Sequence, residues 1–221
     1  HTVVKSVNVA ADGTLLFNMT AEEELNPKYK TVTATVTIKK DSEQPDDSDL
    51  DKGLLAHYLL ESDVKDSSGN QKDAAIASGA DGVDFEGSAL NLAGGNKNSN
   101  NYVNLPDGLF DGQDSVTVSM WINNHNSKGN YSAFFFGSAA QSNKLPLNYF
   151  LLNPCNPSGN YKAVFTDSEK SASPWSTEKG INDSNGKTST AGFMNQWKLY
   201  TVVIKNKTLT GYLDGEKIGT A

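Results

Sequence analysis

The side chains able to do covalent chemistry are few and scattered. Three histidines (His1, His57, His125), one cysteine (Cys155) and 26 acidic residues make up the reactive complement. A catalytic thiol needs a base beside it, and Cys155, between Pro154 and Asn156, has only these histidines to draw on. It reads as an inert, buried thiol and has no second cysteine for a disulfide. Two internal histidines assemble neither a Ser-His-Asp arrangement nor a zinc-ligand set. Glycoside hydrolysis needs two carboxylates facing one another across a cleft. Glu22-Glu23-Glu24 lacks that spacing, and the other acids cluster in turns and loops. The expectation is a segment that does not catalyse by itself.

Binding chemistry is better represented. Asp66-Ser67-Ser68-Gly69-Asn70, with Asp63 and Asp73 close by, offers hard oxygen donors at short spacing, which suits Ca²⁺. Asp66, Asn70 and Asp73 are the candidate ligands; the other reading is an Asx turn with Gly69 at positive φ. Asp47, Asp49 and Asp51 alternate as in an EF-hand opening, but Lys52 and Tyr58 stand where glycine and glutamate are needed. That stretch reads as a solvated linker.

Aromatic side chains supply flat faces for sugar rings. In Val116-Thr-Val-Ser-Met-Trp-Ile122 the apolar residues alternate, so Trp121 falls on the non-core face among Thr117, Ser119 and Asn123. It is either a sugar platform or an anchor beneath a loop. Trp175 lies in a polar loop and could meet a ligand, a neighbouring domain or nothing. Tyr149 and Tyr161 are further sugar-binding candidates whose strand parity leaves them partly core-facing. Trp197, opening a strand with apolar residues on both faces, is expected in the core.

Net charge is −7, with 19 basic residues that are all lysine. Without a basic patch or arginine forks, nucleic acid is excluded as a partner and neutral ligands fit better than anionic ones. No apolar run is long enough to cross a bilayer; Leu54–Leu60 is short and contains His57. No signal peptide is visible, and His1 reads as a processed end or tag remnant. Asn-x-Ser/Thr triplets at Asn18, Asn130, Asn182 and Asn206 are incidental in a bacterial protein.

The elements that must position these residues are short strands divided by Gly/Asn/Ser turns. Residues 1–39 carry three: Thr2–Val9, Leu15–Thr20 and Thr31–Lys39, the last in strict alternation. Residues 40–52 are an acidic linker. From Gly53 onward strands are predicted over 54–60, 74–78, 83–86, 89–92, 101–105, 115–123, 131–137, 147–153, 160–166, 191–195, 197–205 and 208–214. Polar insertions fall at 94–101 and 167–190. This rhythm predicts an all-β, antiparallel β-sandwich with a short N-terminal β segment.

Two motif clusters carry a resemblance. Gly53-Leu-Leu-Ala-His-Tyr-Leu-Leu60 leading into Asp66–Asn70, then Trp197-Lys-Leu-Tyr-Thr-Val-Val-Ile204 with Gly211-Tyr-Leu-Asp-Gly215, resemble the laminin-G-like group of concanavalin A-like jelly rolls. Thr31–Ile38 resembles the final strands of a bacterial Ig-like domain. The resemblance implies a carbohydrate-binding accessory module, over residues 53–221, of a secreted bacterial glycoside hydrolase such as those of family 43. Its partners would be plant-type polysaccharide and a neighbouring catalytic domain, outside the cell or on its surface. The alternative is a structural or adhesive spacer. The group often holds a structural calcium near the Asp66 turn. It also continues past the position of Ala221, so the jelly roll is expected to lack its last strand or borrow it. Glucanases of the fold carry Glu-x-Asp-x-x-Glu on one strand, a phrase missing here.

Overall fold

The computed structural model describes residues 2–9, 15–21, 33–38, 52–96, 98–125, 128–139, 146–167, 174–183 and 188–221. The Glu22–Glu24 run, the Asp47–Asp51 alternation and most of the linker lie outside them. The chain divides into two compact units, His1–Leu109 and Phe110–Ala221.

In the first unit, β1 (Thr2–Val9), β2 (Leu15–Ala21) and β3 (Thr33–Ile38) form an antiparallel sheet in chain order. The alternating Thr-Ala-Thr-Val-Thr-Ile of β3 is the β-branched pattern that suits a pleated surface. Beyond it come β4 (Ala75–Ile76), β5 (Val83–Glu86), β6 (Ala89–Leu92) and β7 (Val103–Asn104). β4 pairs with β7, and β5 with β6 around the two-residue Gly87-Ser88 turn. Residues 54–60, predicted as a strand, make only an isolated bridge, Tyr58 to Asp66. Local side-chain bonds compete with a ladder here: Asp66 and Ser67 occupy the polar groups of His57.

The second unit is an antiparallel β-sandwich. One sheet has the order β12-β11-β10-β9 and the other β15-β14-β13-β8. The strands are β8 (Ser115–Asn123), β9 (Phe134–Ala139), β10 (Pro146–Asn153), β11 (Lys162–Asp167), β12 (Lys179–Ile181), β13 (Trp197–Lys205), β14 (Thr208–Leu213) and β15 (Glu216–Thr220). Directly paired residues share a face, so register decides what is buried. Phe150 pairs with Phe165 and Phe136, and Leu152 with Ala163 and Phe134; these face inward. From the other sheet come Tyr200, Val202, Leu209 and Leu213. Burying each large side chain contributes roughly 1.5–3 kcal/mol.

Tyr161 is 0% exposed and its ring stacks on Tyr200, centroids 6.0 Å apart and planes 4° from parallel. It reaches so far across that a Cβ on Gly211 would lie 2.9 Å from its hydroxyl and 2.8 Å from Ile181 Cδ1. That close approach is why β14 carries glycine at its centre. Asp214-Gly215 turns with both residues at positive φ (50° and 83°), the type I′ geometry expected of an Asp-Gly hairpin. The predicted strand 191–195 is instead a 3₁₀ turn, Ala191–Phe193. Thr190 and Ala191 both donate their N–H to Gly159 O, which closes a turn rather than a ladder.

Candidate functional site

The outward face of the β9–β12 sheet carries a groove of about 630 Å³. Its floor comes from the residues that alternate against the core: Leu151 and Asn153 of β10 and Lys162 of β11, with Asn153 directly opposite Lys162. Three turns raise the walls. Residues 130–132 precede β9, residues 156–158 join β10 to β11, and Glu178 and Asn182-Asp183 flank β12. Amides and hydroxyls predominate over apolar groups in this lining.

Each wall is held by its own hydrogen bonds. Asn156 Oδ1 accepts the N–H groups of Ser158 (2.9 Å) and Asn160 (3.1 Å), an Asx-type closure of the β10–β11 connection. Its Nδ2 donates to Asp183 Oδ1 at 2.9 Å, and Asn160 Nδ2 donates to the same atom at 2.8 Å. This ties the β10–β11 turn to the end of β12. Asn153 Nδ2 donates to Gly129 O at 2.7 Å, while its Oδ1 accepts Cys155 N at 3.0 Å. Asn124 Nδ2 donates to the Tyr131 hydroxyl at 2.6 Å, steadying the third wall.

Charge in the groove is paired. Lys162 Nζ lies 2.6 Å from Glu178 Oε2, and the Tyr149 hydroxyl donates to Glu178 Oε1 at 2.7 Å. Burial pushes the Tyr149 pKa well above its ordinary value, and the neighbouring Glu178 adds to the rise. Burial likewise raises that of Tyr131. Both phenols stay neutral donors or acceptors. The arrangement can align neutral hydroxylated ligands by many modest hydrogen bonds above an apolar floor patch, Leu151.

The aromatic candidates separate sharply. Trp121 is 62% exposed and Trp175 is 56% exposed. Trp175 sits on the 3₁₀ turn Pro174–Thr177, whose backbone leads into Glu178 through a Glu178 N–H bond to Trp175 O. Tyr149 and Tyr161 offer no ring face to a ligand. Tyr149 is only 6% exposed, capped by Glu178 and stacked on Phe135, and Tyr161 fills the core. Trp197 departs from its expected core place: it is 52% exposed, because it pairs with outward-facing Asn123. The polar lining residues, Asn153, Lys162, Glu178 and Asp183 among them, drew no notice in the sequence. The one signal was the Asn-rich stretch Asn153-Pro-Cys-Asn-Pro-Ser-Gly-Asn160.

The Asp66 turn is a hydrogen-bond knot. Oδ1 accepts the N–H of His57 and of Ser68, and Oδ2 accepts the Ser68 hydroxyl and Lys72 N–H, all within 2.9–3.0 Å. Asp73 Oδ1 accepts Asp66 N–H at 2.9 Å, and Asn70 Nδ2 donates to Leu54 O at 2.7 Å. The His57 N–H bond, foremost among these, holds the Asp66 carboxyl well below the usual carboxylate range. With both oxygens engaged by protein donors, Asp66, Asn70 and Asp73 as arranged do not fit a cation. Among the described residues no group of three His, Cys, Asp or Glu side chains could hold a metal.

Two solved structures match the chain. One is domain 4 of AbnA, a GH43 extracellular arabinanase from Geobacillus stearothermophilus, in complex with arabinotriose. It is similar at a TM-score of 0.51 and 22% identity, over 76% of this chain and 74% of that one. The likeness is one of fold. No curated protein matches. No helix among the described residues is long and apolar enough to cross a membrane. Residues 96–221 match the laminin G-like profile described as the concanavalin A-like lectin/glucanases superfamily, and the two stacked antiparallel sheets have its architecture. The chain belongs to that superfamily.

Proposed function

We propose that this chain is a non-catalytic carbohydrate-binding module of an extracellular bacterial polysaccharide-degrading enzyme, and that the groove on the β9–β12 sheet holds its oligosaccharide. The single observation that carries the reading is the lining: neutral amides and hydroxyls, braced by their own bonds, around one internally paired Lys–Glu couple. Such a surface suits uncharged plant-type glycans, arabinan- or xylan-derived, better than uronates. The fold likeness to an arabinanase domain that holds arabinotriose supports the same reading. A neighbouring catalytic domain would be its working partner.

Isothermal titration calorimetry against arabinotriose, xylotriose and cellotriose tests this. Heat is expected with at least one. Ser158→Trp, at an exposed groove position, should abolish it by filling the space without touching the core. Undiminished binding by that variant, or no heat with any sugar, ends the proposal.

A further inference from the structure

The opposite side of the sandwich presents a second surface of different character. On β8 and β13, Trp197 pairs with Asn123, Leu199 with Trp121, Thr201 with Ser119, and Val203 with Thr117. All point away from Tyr200, Val202 and the core between the sheets. Trp121 and Trp197 are therefore diagonal neighbours on one outward face, with Leu199 beside both. Diagonal neighbours sit about 7–8 Å apart, close enough for two large rings to make one continuous strip.

The surroundings of the strip determine what suits it. The next row is hydroxylic: Ser119 Oγ and Thr201 Oγ1 are 2.7 Å apart, and Tyr212 pairs with Thr201 on the same face. From the Thr117–Val203 pair to the Asn123–Trp197 pair no side chain on these two strands is charged. Lys217 on the edge strand and Lys205 at the far end are the flanking charges. A charged protein epitope or an anionic polymer would find no counterpart there. Exposed indoles next to hydroxyls match the alternating C–H faces and equatorial hydroxyls of a neutral sugar chain lying flat.

We infer that the Trp121–Trp197 strip is a second carbohydrate site, a flat platform for the surface of insoluble neutral polysaccharide, separate from the groove. The inference rests on the chain being a glycan binder. It adds that the two outward faces do different work: the groove takes a soluble oligosaccharide and the platform adheres to packed chains. The sandwich core lies between them, so one molecule engages both without overlap.

The test is depletion of the full chain from solution by particles of insoluble arabinoxylan, debranched arabinan and microcrystalline cellulose. Calorimetry with soluble trisaccharides runs in parallel. Trp121→Ala and Trp197→Ala should each weaken adsorption to at least one particle type roughly tenfold, since each removes a stacking face. Soluble-sugar heats should stay as in the unaltered chain, and circular dichroism should show both variants folded. Wild-type adsorption should also blue-shift tryptophan emission, and Trp121→Phe should restore part of the lost adsorption.

Adsorption unchanged in both variants, or absent in the unaltered chain, overturns the platform while leaving groove binding standing. Loss of soluble-sugar heat in Ser158→Trp alone, with adsorption intact, supports two separate sites. Failure of every soluble and insoluble glycan sinks both readings together. Concentration-dependent dimerisation that Trp121→Ala abolishes, without adsorption, assigns the strip to a second copy and overturns the proposal.

Discussion

The Tyr149 hydroxyl donates to Glu178 Oε1 at 2.7 Å while Lys162 holds Oε2 at 2.6 Å, so one carboxylate ties three elements together. Tyr149 stands on β10, Lys162 on β11, and Glu178 on the approach to β12. The wall of the groove therefore stands or falls with Glu178, whose side chain is 10% exposed.

Glu178→Ala should leave the buried phenol and the half-buried ammonium without their shared acceptor. The expected loss is about 2 kcal/mol in urea unfolding, because unsatisfied buried groups cost more than the bond itself contributed. Trisaccharide affinity should fall as well. Glu178→Gln, which keeps an acceptor for Tyr149, should recover part of the stability. No change in either quantity would remove Glu178 from the supporting frame.

Alkaline stability should reflect three tyrosines. Burial raises the pKa of Tyr149, Tyr161 and Tyr200 above the usual value near ~10. The folded state then keeps protons that the unfolded chain has already released, so stability falls with rising pH. The contribution is intact below about pH 10 and is lost as pH climbs through the higher folded values. Melting temperature against pH, with phenolate absorbance at each step, should show ionisation of these rings only together with unfolding.

Gly211→Ala tests the distance between the sheets. Its new methyl would meet Ile181 Cδ1 at 2.8 Å and the Tyr161 hydroxyl at 2.9 Å, with no flexible chain end free to yield in the core. Overpacking of this kind costs about 1–3 kcal/mol. Chemical denaturation should report that cost with an unaltered m-value. A neutral result would mean that the two sheets slide apart freely at this point.

Asp66 should behave as an acid-labile tie without a metal. Its folded pKa is depressed, chiefly by the His57 N–H, so its contribution is present above the unfolded value near ~3.9. It should disappear as pH drops through the lower folded value. Carboxylate titration by NMR reads this directly, and Asp66→Ala should loosen amide protection of Ser67, Ser68 and Lys72. A chelator should leave the melting temperature unchanged; a fall on chelation, restored by calcium, would show an ion held here.

Strand placement was legible over most of the second unit because a sandwich strand writes its two faces into alternate residues. Ser115–Asn123 and Trp197–Lys205 coincide with their predicted spans for that reason. The Asp214-Gly215 turn was equally plain, since the I′ geometry selects those residue types. The N-terminal strands, likewise, come from their Thr/Val alternation. Residues 54–60 and 191–195 misled, because backbone partners won there by local side-chain and turn bonds leave no trace in periodicity.

The site was far less legible. Sequence alone determined that any ligand would be neutral, through its missing arginines and scattered acids, and it placed Trp121 outward. It could not say that Tyr161 crosses the core to Gly211, or that Trp197 lies outside beside Trp121. Nor could it bring Asn156, Asp183 and Glu178 to one groove. Parity along one strand is a local property of the chain. Which face is covered, and which distant turns meet above it, depends on sheet order and register, and those arise only when the two sheets stack.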